Sequence, residues 1–151
     1  METKNQKTIE KLNDLLEINN DRIEGYKRAS KETEETDLKT LFAQLSETSS
    51  NCKQQLIGEI KKLGGAPIEG TRTTGKLYRS WMDIKSAISN KNRKAILSSC
   101  ELGEDVALKN YKEILKTDHI DSALHALITN QYTLIKADHD KIRDLRDLVK
   151  A

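Results

Sequence analysis

Apolar residues recur at spacings of three and four through four long stretches of this chain, and little interrupts them: 151 residues hold one proline and seven glycines. That spacing lines one side of an α-helix. No stretch shows convincing strand-like alternation. The expected fold is therefore all-α, and what remains is how many helices there are and how they connect.

The first stripe, over Thr8 to Lys31, is Ile9, Leu12, Leu16, Asn19, Ile23 and Tyr26, widened by Leu15 and Ala29. Thr8 is its candidate N-cap. The second, over Asp37 to Leu63, is Leu38, Leu41, Phe42, Leu45, Cys52, Leu56, Ile60 and Leu63, with Thr36 or Asp37 as the cap. Gly64-Gly65 followed by Pro67 stops it, because glycine accepts the left-handed turn and proline cannot continue a helix.

Residues 64–75 form the one long loop. Its glycines and hydroxyls precede a helix start, which suggests a phosphate cradle. Neither the Walker nor the dinucleotide spacing is present and no strand leads in, so the loop reads as a linker. A short helix over Lys76 to Ser89 follows, with Trp81 as its anchor.

The third long helix, over Asn92 to Lys116, carries Leu97, Cys100, Glu104, Ala107, Tyr111 and Ile114 on its stripe. The fourth, over Asp121 to Val149, carries Leu124, Leu127 or Ile128, Gln131, Ile135, Asp138, Ile142, Leu145 and Val149, with His139 at the border and Asp121 as the cap.

Composition fits a thin core wrapped in solvated faces: 36% of residues are hydrophobic and 33% charged. No run of about 18 apolar residues exists, which excludes a membrane span. A net charge of +2 gives no electrostatic case for nucleic acid. The N-terminus lacks a secretory apolar region. Cys52 and Cys100 match no metal-finger or redox spacing. The expectation is a cytoplasmic protein with two buried free thiols.

Short links make helices one and two, and three and four, antiparallel neighbours. The link between two and three, about residues 64–91, carries a helix that spans roughly 21 Å at 1.5 Å per residue. That suffices for a lengthwise crossover and yields a single four-helix-bundle domain over residues 1–151. Aligning helix heights brings Glu24, Glu47, Glu104 and His139 to one layer. A buried polar layer of Asn19, Glu104, Gln131 and Asp138 is expected to hydrogen-bond across the bundle, since an unpartnered buried carboxylate is costly. His119 and His125 read as surface or boundary residues.

Several stretches carry a family resemblance: Leu12 to Glu17, Arg22 to Tyr26, Cys100 to Asp105, Ala137 to Arg143, the Leu63-to-Pro67 turn and the Tyr78-to-Met82 helix. Together they resemble the uncharacterised bacterial ferritin-like family called domain of unknown function 2383. The resemblance covers nearly the whole chain and implies the ferritin-like bundle with a long crossover. It implies no established activity.

The wider ferritin-like group with di-iron sites uses a Glu from each of two helices and a Glu-x-x-His from each of the other two. Here Glu24 and Glu104 resemble the single acids. Glu47 to Ser50 keeps the acid and lacks the histidine. Lys136 to His139 keeps the histidine and puts a cation in place of the bridging acid. The favoured reading is a non-catalytic helical module without a cofactor, acting through a homo-oligomer such as a dimer or through another protein partner, with no nucleic acid or membrane involved. The alternative is one Fe, Mn or Zn ion held by Glu24, Glu47, Glu104 and His139.

Overall fold

Helix α1 (Lys4–Glu32) starts one turn before its apolar stripe does. A computed structural model describes residues 3–71 and 75–149, and Thr3 is the true N-cap. Its hydroxyl accepts from the Gln6 amide at 3.1 Å, and the Gln6 side chain accepts from the Thr3 amide at 2.7 Å. This reciprocal pair is a capping box. Thr8, expected as the cap, is instead buried inside the helix and donates to the Lys4 carbonyl at 3.0 Å. Thr3-x-x-Gln6 outcompetes it because it satisfies both of its own exposed donors.

Helix α2 (Thr36–Lys62) has Glu35 at its N-cap with no side-chain bond, so neither Thr36 nor Asp37 caps it. Both lie in its first turn, where an acid favours the positive end of the helix dipole. At its C-terminus Gly64 takes φ +81°. Its amide donates to the Lys61 carbonyl and the Gly65 amide to the Ile60 carbonyl, at 3.0 and 2.9 Å. The following linker lies along α1. Asn13 donates to Ala66 and accepts from the Ile68 amide, and Asn20 donates to Gly70. Of the hydroxyls in the phosphate-cradle reading, Thr73 and Thr74 lie outside the described residues.

Helices α3 (Gly75–Ser89), α4 (Arg93–Leu115) and α5 (Ser122–Asp147) complete the fold. Asn92 caps α4 and Asp121 caps α5, each accepting from the amide three residues on. No strand occurs among the described residues, and no helix among them is long and apolar enough to cross a membrane.

Helix α1 packs along α2, and α4 along α5. Helix α3 lies on α4 and touches α1. Contacts between α1 and α4 and between α2 and α5 close the arrangement. The interior has two apolar clusters. One centres on Leu12, Leu16, Ile18, Leu56, Tyr111, Ile128 and Ile135. The other centres on Tyr26, Phe42, Leu45, Leu97, Cys100 and Ile142. On four helices a polar residue separates them: Arg22 between Ile18 and Tyr26, Ser49 between Leu45 and Leu56, Glu104 between Cys100 and Ala107, and Asp138 between Ile135 and Ile142.

Candidate functional site

The division between the clusters is built around Arg22, whose side chain is fully buried. Its Nε donates to Glu104 Oε2 at 2.9 Å and its Nη2 to Glu104 Oε1 at 2.6 Å. Nη2 also reaches Asp138 Oδ2 at 3.3 Å, and Nη1 donates to the Ser49 hydroxyl. The Tyr26 ring lies beside the guanidinium, 5.5 Å from centroid to Cζ. A planar guanidinium matches a carboxylate fork with two parallel bonds. One side chain from α1 thereby ties α2, α4 and α5 together at one height.

Burial alone would push the Arg22 guanidinium toward its neutral form. The adjacent Glu104 charge and its hydrogen bonds outweigh that, so its pKa is raised and it stays cationic. Burial raises the Asp138 carboxyl, assisted by the Glu104 charge and opposed by Arg22. Burial likewise lifts the Tyr26 phenol well above its ordinary range.

About one turn away lies a second, uncharged chain of hydrogen bonds. Asn19 donates to the Leu15 carbonyl and to the Tyr111 hydroxyl, both at 2.8 Å. Tyr111 donates to Gln131 Oε1 at 2.8 Å. Gln131 donates to the Cys52 carbonyl and to Gln55, at 3.2 and 2.9 Å. The sequence-derived polar layer is thus two layers: Glu104 and Asp138 meet through Arg22, and Asn19 and Gln131 meet through Tyr111.

The carboxylates and histidine considered as metal ligands are not brought together. Glu24 is exposed and lies 3.9 Å from Arg28, and Glu47 is exposed on α2. Glu104 is engaged by Arg22. His139 belongs to a separate cluster between α4 and α5: its Nε2 lies 2.8 Å from Asp105 and 3.7 Å from Glu101, and its Nδ1 lies 3.0 Å from Asp140. Arg146 pairs with Glu101 there.

The reason is angular. Residues two apart on a helix point roughly 200° apart at 3.6 residues per turn. Glu24 and Glu47 share the height of the layer, but the inward positions belong to Arg22 and Ser49. Among the described residues no group of three or more His, Cys, Asp and Glu side chains is arranged to hold a metal ion. The residues present do not fit the di-metal centre of the ferritin-like group, because the cation facing the buried carboxylates is an arginine.

Arg22 and Ser49 are the residues that sequence reasoning passed over. Arg22 lies three residues after Asn19 and four before Tyr26, a stripe position that was assigned to Ile23. Ile23 is only half-buried. A carboxylate on the core stripe at Glu104 needs a buried partner, and the structure supplies the Arg22 guanidinium at that height.

The thiols are free and buried. Burial pushes Cys52 up to about 11 and Cys100 well above its ordinary value. Neither is an activated nucleophile, since reactivity requires the thiolate.

A family model described as Domain of unknown function (DUF2383) matches residues 7–117. The matched residues include Arg22, Ser49 and Glu104. No curated protein matches the chain.

Proposed function

The chain belongs to the family described as Domain of unknown function (DUF2383), and from that premise we propose that it is a non-catalytic ferritin-like helical module that works through its surface, by self-association or contact with another protein. The observation that carries this reading is the buried Arg22 guanidinium, bonded through two nitrogens to Glu104 and within reach of Asp138. In a metal-bearing bundle the inward carboxylates face a dication. Here a covalently attached cation pairs with them and holds the helices, so the core layer is structural.

The two hydrogen-bonded layers support a four-helix bundle with a lengthwise crossover. Going from the Arg22 layer to the Tyr111 layer, residue numbers rise from Ser49 to Gln55 on α2 and from Glu104 to Tyr111 on α4. They fall on α1 and α5. Helices α2 and α4 therefore run parallel, as the ferritin-like connection requires. Two buried free thiols fit a reducing compartment such as the cytoplasm.

The alternative, a single Fe, Mn or Zn ion at Glu24, Glu47, Glu104 and His139, requires Glu104 to leave Arg22 and two outward acids to turn inward. The test is metal analysis after growth in excess iron, together with aerobic Fe(II) oxidation followed optically against a His139→Ala control. The expected result is negligible metal and a rate equal to buffer. About one ion per chain, with an oxidation rate above buffer that falls in His139→Ala, overturns the reading.

A further inference from the structure

We propose that the outer face formed by α2 and α5 is the contact surface between two copies of this chain. The proposal rests on the surface-acting reading above and names the surface. Helix α3 lies on the α1 and α4 side and leaves the α2 and α5 side uncovered.

That uncovered side differs in chemistry from the rest of the surface. One third of the chain is charged, and the exposed face of α1 shows it with Lys7, Glu10, Lys27, Arg28 and Lys31. On α2 the exposed positions turned toward α5 are Thr40, Gln44, Asn51, Gln55 and Gly58, with Glu47 the one charge in the middle of the stripe and Asp37 and Lys62 at its two ends. On α5 the matching positions are Ala126, Asn130, Thr133, Leu134 and Ala137, followed by Lys141, with the Lys136–Asp140 ion pair at 3.2 Å along their border. Leu134 is 44% exposed, and a Cβ at Gly58 would meet nothing within 4 Å. Depletion of charge at the centre of a patch, with charge at its rim, is the compositional mark of a protein–protein interface.

The size suits a pair of such chains. Helix α2 has 27 residues and so spans about 40 Å. Two helices side by side cover a width of about 20 Å. The product is roughly 800 Å² per copy, the share each partner contributes to an interface of standard size.

The charges suit a second copy as well. Ser49 and Asp138 share one height through Arg22, and Gln55 and Gln131 share another, so α2 and α5 are antiparallel. A two-fold axis parallel to the helices sets α2 of one copy against α5 of the other without changing heights. Glu47, two residues before Ser49, then comes level with the partner's Lys141. The symmetry repeats that pair at the other side of the axis. A nucleic acid or a highly charged protein would find no matching charge on this face.

Sedimentation equilibrium of the full chain from micromolar to hundred-micromolar concentration tests the proposal. The expected result is a species of twice the chain mass at the upper end. Leu134→Glu and Gly58→Glu are each expected to weaken association about tenfold or more, because they place like charges across the axis. Both positions are exposed and Glu favours helix, so circular dichroism is expected to report intact helices in each variant. Glu47→Lys weakens the dimer, and Glu47→Lys with Lys141→Glu restores it. A monomer at every concentration, a dimer indifferent to Leu134→Glu and Gly58→Glu, or a charge swap that does not restore association overturns the proposal. None of these results bears on the arginine-filled core, which the Fe(II) oxidation assay tests separately.

Discussion

Trp81 lies against the bare backbone of Gly25: a Cβ built at position 25 would stand 2.5 Å from the indole ring. The indole also meets the Tyr26 ring edge-on, with centroids 4.8 Å apart. Through this contact helix α3 docks on α1. Gly25 lies inside α1, where alanine would ordinarily stabilise by about 0.5–1 kcal/mol. Here the contact reverses the sign. Gly25→Ala is expected to destabilise by about 1–3 kcal/mol, since the ring cannot retreat without losing its packing. Urea unfolding followed by Trp81 fluorescence measures it, and a stabilised variant would show that the α3 contact is loose.

Lys91 closes α3. It is the one non-glycine residue with positive φ among the described residues, at 54°. Its amide donates to the Ile88 carbonyl and the Asn92 amide to the Ala87 carbonyl, at 3.0 and 3.1 Å. The motif is the one that Gly64 serves at the end of α2. Lys91 retains an ion pair with Glu34 at 3.3 Å, but both side chains are mostly exposed and such pairs contribute little. Lys91→Gly is expected to stabilise by about 0.5–1 kcal/mol by relieving the left-handed strain. Thermal unfolding checks it, and a fall in Tm would mean that the ion pair outweighs the strain.

The buried pair is expected to behave as a unit. Arg22→Met leaves Glu104 and Asp138 facing each other without a cation, and Glu104→Leu leaves Arg22 with Asp138 alone. Each single change is expected to cost about 3–5 kcal/mol, the penalty for stranding a buried charge. In an Asp138→Asn background, which leaves no third charge stranded, the double change Arg22→Met with Glu104→Leu is expected to recover most of that loss, since well-packed apolar residues often match a buried ion pair. A double-mutant cycle in denaturant gives the coupling. Additive losses would show that the pair contributes nothing jointly.

The helices were legible because their stripes are long and their stops are strong. Gly64-Gly65 ends α2 where the spacing indicated, and Asn92 and Asp121 cap as their residue types suggest. The start of α1 was not, because the cap lies in a polar stretch before any apolar stripe begins. At the core layer, periodicity resolved height and missed angle. Glu104, Asp138, Asn19 and Gln131 lie on stripes and are buried. Glu24 and Glu47 share the height but lie two residues from the inward positions. A hydropathy stripe gives no reason to put an arginine at its centre and favours Ile23 over Arg22, although a buried Glu104 needs a partner. Periodicity places Tyr111 on the apolar stripe, while its hydroxyl relays Asn19 to Gln131. A linear pattern conveys no such directional bond.

The core layer holds one cation and two carboxylates, which makes stability depend on pH through Asp138. Burial raises its pKa in the folded chain, with Arg22 opposing and the Glu104 charge assisting, and Thr48 also faces it. A carboxyl raised on folding binds its proton more tightly in the folded state. Its contribution is therefore most favourable below the unfolded value of about 3.9 and is lost as pH rises through the folded value. At neutral pH the ionised group carries a standing cost. Asp138→Asn removes that cost and still offers Arg22 an oxygen acceptor, while Glu104 alone balances the guanidinium. The variant is expected to be more stable than the parent chain at neutral pH by on the order of 1 kcal/mol. The advantage is expected to shrink as pH falls toward 4 and to vanish below it. Urea unfolding of both chains across pH 3 to 8 reads the difference directly. A loss of stability at neutral pH would mean that the Arg22–Asp138 attraction exceeds the burial cost, and a pH-independent difference would remove Asp138 titration as its source.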